Sequence, residues 1–180
     1  TVVALLFPVA LLNYLDRQML ATMKASMVAD IPDIANKADW GIVLGSFKWV
    51  YAVLSPVGGY IADRQGGLRI LYYVLPVIVG SVVAVTSPSL PTAVAMMVIA
   101  TGAMGFGNGV VFQLVAEWLP KDIGLASGVV GAAGGFGGFL LPIIAGTMKG
   151  FTGSYDLGLW LFAGFGVCAW GTVIVALRAR

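Results

Sequence analysis

Charge is scarce in this chain: 10% of its 180 residues are Asp, Glu, Lys or Arg, against about 25% in an ordinary soluble domain. Histidine is absent and cysteine occurs once, as Cys168. A lone thiol cannot close an internal disulfide, and without imidazoles the usual soft metal ligands are missing, so neither metal catalysis nor a cofactor is expected. Cys168 reads as a small apolar residue within a helix. What fills the composition instead is apolar side chains, 59% of the chain, and glycine, 25 residues, about twice the usual share of about 7%. Such a chain cannot clothe itself in a wettable surface, which excludes a cytosolic enzyme and a disordered tail. A formal net charge of +2 supplies no concentrated basic surface, which excludes a nucleic-acid binder. The composition is that of a membrane protein.

A spanning helix takes about 20 mostly apolar residues, so a chain of this length holds about six with short connections. The expected spans are 2–23, 40–62, 70–87, 91–116, 123–148 and 157–177. Their separators are the polar stretch 24–39, the charged turn 63–69, the Pro-containing 87–91, and segments 117–122 and 149–156. The segments are long and continuously apolar, whereas barrel strands alternate over about ten residues, so helices are expected. Residues 1–12 lack a basic leading region and a small-residue cleavage site, and read as part of a span rather than a removable signal. The chain begins on Thr1 rather than Met, which suggests a trimmed chain or a fragment. Arg64, Arg69, Lys121, Arg178 and Arg180 fall on one side of this topology, and Lys24, Lys37 and Lys149 on the other. The larger basic set is expected to face the cytoplasm, with both termini inside.

Ionisable groups at bilayer depth cost at least a few kcal/mol and are functional candidates by default. Asp16 and Arg17 lie in the first span and Lys48 in the second. Neighbouring side chains on a helix point about 100° apart, so Asp16 and Arg17 cannot both face lipid cheaply and are expected to line a wet cavity. A guanidinium offers a planar fork of donors to an anion, and a poorly solvated carboxylate can take up and release a proton. The pair therefore suggests proton-linked anion handling. A structural ion pair of Asp16 with Lys48 is the alternative, and Lys48 could instead snorkel toward a membrane surface. In the fourth span Asn108 and Gln113 are candidate substrate groups, with inter-helix hydrogen bonding as the plain alternative. Glu117 reads as interfacial.

Glycine has its own pattern. Gly124, Gly128, Gly131, Gly135 and Gly138 recur every three or four residues along one helix face, and Gly102, Gly105 and Gly109 begin the same pattern in the preceding span. Such faces allow close helix packing, or let helices slide or backbone approach a ligand.

The run Gly58-Gly59-Tyr60-Ile61-Ala62-Asp63-Arg64-Gln65-Gly66-Gly67-Leu68-Arg69 resembles the cytoplasmic loop motif of the major facilitator superfamily. The resemblance implies a conformational role for Gly59, Asp63, Arg64, Gly66 and Arg69, with the Asp and Arg residues bracing neighbouring helix ends. It also implies half of a two-half, all-α carrier that works by alternating access. Residues 10–62 resemble the first two helices of the anion:cation symporters, in which positions matching Asp16 and Arg17 are associated with proton coupling and anion binding. Residues 105–163, with the run Gly131 to Pro142, are similar to the later helices of the nitrate/nitrite porters. The first signal points to a first half and the second to a second half. The nitrate porters also carry an Arg where Ser55 stands here before Pro56-Val57-Gly58-Gly59. The implied function is secondary transport of a small anion, nitrate or nitrite first and a sugar-acid type second, through Arg17, Lys48, Asn108 and Gln113. A second copy or a complementary half would complete the cavity. A non-transporting subunit or a truncated remnant is the alternative. An enzyme is not expected, since no nucleophile, base and orienting group stand together.

Overall fold

The computed structural model describes residues 36–86 and 90–179, together with Val9, Lys24 and Val28. Five helices run through the two continuous stretches: α1 Lys37–Gln65, α2 Gly67–Ala84, α3 Leu90–Trp118, α4 Ile123–Thr152 and α5 Asp156–Arg178. All five are long and apolar enough to cross a bilayer, and they coincide with the second to sixth expected spans. The first span lies outside the described residues except for Val9, which is buried in the main core.

Local chemistry sets the ends of these helices. Asn36 caps α1, its side-chain oxygen accepting from the Ala38 N–H at 3.1 Å. Gly153 closes α4 in the left-handed region, and its N–H donates to Lys149 O. The expected charged turn over 63–69 is corrected to a single residue. Asp63 and Arg64 belong to α1, Arg69 belongs to α2, and only Gly66 separates the two helices. Gly66 makes so abrupt a break possible because its φ of 87° is closed to most side chains. The polar separator 24–39 is likewise partly helical, at Lys24, Val28 and from Lys37 onward. Glu117 lies in α3 and Lys149 in α4, within helices rather than between them.

Helix α3 occupies the middle of the bundle, with Met104, Val110, Val111, Leu114 and Val115 almost completely buried. It packs chiefly against α1 and α2, and α2 also packs along α5. Leu71, Leu75 and Ile78 of α2 and Phe162, Ala169 and Val173 of α5 complete this core. Large apolar side chains nevertheless stand outward, among them Trp49, Leu125, Phe136, Phe139 and Phe151. A hydrocarbon surround explains them, since lipid imposes no penalty on such a surface.

The ends of the bundle sort the cations. Gly67 stands against Gln113 and Leu114, so the α1–α2 turn lies level with the end of α3. Helix α5 runs antiparallel to α2, with Gly166 against Val79 and Trp170 against Tyr72, which brings Arg178 to that same end. Arg64, Arg69, Lys121 and Arg178 therefore gather at one end. At the other are Lys37, Lys149 and Lys24, whose ammonium lies 5.5 Å from the Trp40 ring centroid.

Candidate functional site

The closest helix contact is the seam between α1 and α3, and glycine creates it. A Cβ added at Gly105 would lie 2.5 Å from Tyr51 O, and one added at Gly58 or Gly109 would collide with backbone at Phe106 or Ser55. The two backbones touch where side chains are missing, which is the small-residue mode of packing in lipid. Contacts advance in the same direction on both helices, Tyr51 with Gly105 and then Ser55 with Gly109, so α1 and α3 run parallel.

Polar groups sit within this seam. The Asn108 amide donates to Ser55 Oγ at 3.4 Å, joining one expected site residue to the position where the nitrate porters carry an Arg. Pro56 follows immediately; lacking an N–H, it leaves the Ala52 carbonyl without its regular helical donor. Lys48 lies two turns before Ser55, and helical periodicity puts Lys48, Tyr51 and Ser55 on one stripe. Tyr51 is buried, whereas Lys48 is exposed midway along an otherwise apolar stretch. Thr101, on the α3 face that also carries Gly105 and Asn108, is 2% exposed, and its hydroxyl has no hydrogen-bond partner among the described residues. Thr101 was not among the expected site residues, because a threonine among Met, Ala and Gly carries no distinguishing mark in sequence.

The remaining expected residues separate. Asp16 and Arg17 lie outside the described residues. Gln113 is drawn to the end of the bundle, where its amide donates to Glu117 at 3.1 Å and its buried carbonyl oxygen points at Gly67 without a hydrogen-bond partner among the described residues. A Cβ on Gly67 would meet that oxygen at 2.8 Å and Leu114 at 2.6 Å, so glycine at 67 makes room for α3. In the loop motif, Asp63, Gly66 and Arg69 are exposed, Gly59 sits near Gly109, and the Arg64 guanidinium lies 4.3 Å from the Tyr60 ring centroid within its own helix.

The glycine stripe of α4 occupies a different setting. A Cβ added at Gly124, Gly128, Gly131 or Gly135 would meet nothing within 4 Å among the described residues, and Gly138 is half-buried. Close packing falls on Gly105 and Gly109 of α3 instead.

Similarity to known proteins agrees with this architecture. The chain is 36% identical over 124 residues to the nitrite extrusion protein of Bacillus subtilis, an alignment covering 68% of the chain and 31% of that relative. It is 32% identical over 140 residues to the probable nitrate transporter NarT of Staphylococcus haemolyticus, and 33% identical over 141 residues to that of Staphylococcus epidermidis. Each alignment covers 77% of the chain and 36% of the relative. The chain thus spans about a third of the length of these relatives, which are transporters rather than enzymes. Residues 6–180 match the sequence profile of the Major Facilitator Superfamily. An all-α chain with five helices able to cross a bilayer, matched by that profile over residues 6–180, belongs to the Major Facilitator Superfamily.

Proposed function

We propose that this integral membrane chain forms one half of a secondary carrier for a small anion, nitrate or nitrite first and a sugar-acid type second. The observation that carries the reading is Lys48: an exposed ammonium midway along an apolar spanning helix, on the same stripe as the Ser55 that holds Asn108. A cation at that depth needs water or an anion beside it. Lys48 and Arg17 attract the anion, and Asn108 and Thr101 offer it neutral hydrogen bonds. Asp16 carries a proton where coupling is protonic. Gln113, held by Glu117, supports the α1–α2 turn rather than meeting solute. The names of the similar proteins favour nitrate or nitrite, while Ser55 removes one guanidinium from the nitrate porters' pattern and leaves the charge to Lys48 and Arg17.

Six spans enclose half of a two-half cavity, so the proposed carrier is completed by a second copy or a complementary half and works by alternating access. The end bearing Arg64, Arg69, Lys121 and Arg178 faces the cytoplasm, placing both termini inside. Reporter fusions at each terminus test that orientation. The function is tested in proteoliposomes by tracer uptake of nitrate, nitrite and a sugar acid at controlled pH, with the mass of the protein measured in detergent. Uptake of one of these anions, reduced about tenfold or more in Lys48→Gln and Arg17→Gln, is the expected result, a factor of ten being about 1.4 kcal/mol. Absence of flux for every anion from a monomeric protein would identify a non-transporting module instead.

A further inference from the structure

Helix α2 contains Pro76, and a proline inside a helix removes one rung: Tyr72, four residues earlier, loses the N–H that would ordinarily bond its carbonyl. In a bilayer no water replaces that donor, and an unsatisfied carbonyl is costly. The structure supplies a donor from elsewhere. Trp170 of α5 places its indole Nε1–H 2.9 Å from Tyr72 O, with the two rings tilted against each other at 5.7 Å between centroids. Both residues are half-buried against the core. Contact continues on the other side of the proline, where Gly166 accommodates Val79, whose Cγ2 would lie 2.6 Å from an added Cβ. Two turns of α5 therefore bracket Pro76. One turn further, the buried Ser81 hydroxyl donates to Val77 O at 2.7 Å, a back-bond of the kind that bends helices.

We propose that Pro76 makes a hinge in α2 and that the Trp170 indole is its lock, a surrogate rung that holds α2 and α5 as one unit. The proposal is independent of the transported solute. Neither residue alone suffices: proline creates the vacancy, and tryptophan fills it while its ring packs on Tyr72. Helix α1 contains a comparable break at Pro56, where the approach of α3 is made by glycine backbone rather than by an indole donor.

A double-mutant cycle on the full chain in detergent tests the lock. Trp170→Phe keeps an aromatic ring at the position while removing the N–H and the five-membered ring that bears it. It is expected to lower the apparent Tm by about 3 to 6 °C through the lost part-buried hydrogen bond and a trimming loss that the cycle cancels. Pro76→Ala restores the in-helix donor, so in that background the same Trp170→Phe change is expected to cost less than half as much. Amide exchange over residues 77–80 is expected to quicken about tenfold in Trp170→Phe and to return to the parent rate in the double variant. Equal losses of Tm in both backgrounds would overturn the proposal and leave Trp170 as a packing residue. If Trp170→Phe fails to accumulate, rescue by Pro76→Ala supports the lock, and failure of the double variant beside a stable Pro76→Ala protein overturns it.

Discussion

Two faces of this bundle carry glycine at the same helical spacing and meet different fates. On α3, Gly105 and Gly109 lie against the backbone of α1, where Gly58 makes the matching gap. On α4, Gly124, Gly128, Gly131 and Gly135 open onto space that no described residue fills. A three- or four-residue period licenses close approach without causing it. What separates the faces is the partner: α1 offers its own glycine and a polar anchor at Ser55, and α4 has little contact with the helices on either side of it.

The contrast can be broken most forcefully at Gly109. Gly109→Val places branched carbons inside the Ser55 backbone and is expected to destabilise by about 3 kcal/mol or more, read as loss of monodisperse protein in detergent. Gly105→Ala asks less of the same seam and should cost about 1 to 3 kcal/mol in thermal unfolding, because Tyr51 backbone rather than a flexible side chain must yield. Removing the polar anchor through Asn108→Ala is expected to cost about 0.5 to 1.5 kcal/mol, the worth of one modest hydrogen bond. Gly128→Ala on the open face should be neutral or stabilising by up to about 1 kcal/mol, since alanine is the better helix former and meets no atom of the described residues. A loss at Gly128 as large as at Gly105 would show that something outside the described residues covers α4.

The polar residues show how far pattern reading reaches. Lys48 was identifiable as an ionisable group inside an apolar run, and the structure leaves it exposed along α1. Asn108 and Gln113 looked equivalent in sequence, two uncharged polar groups in one span. Packing gave the first to Ser55 across the seam and the second to Glu117 at the bundle end. Thr101 and Trp170 carry no distinguishing mark in the sequence. The aim of the Trp170 indole depends on a carbonyl 98 residues away in the chain, which no local pattern encodes. Pro76 held the one available clue to Trp170, since a proline in a lipid-embedded helix implies a carbonyl in search of a donor.

Composition and periodicity alone determined that this protein lives in a membrane, that it is helical, where five of its spans fall and which cations belong together. These properties follow from short-range rules: apolar length sets a span, and the 3.6-residue turn sets which side chains share a face. Only the tertiary structure decided which of those faces meet. It assigned the seam to α1 and α3 and gave the Tyr72 carbonyl to Trp170. The physical reason is the solvent: lipid tails are as apolar as leucine, so hydrophobicity cannot tell a core face from a lipid face, and shape with hydrogen bonding must choose.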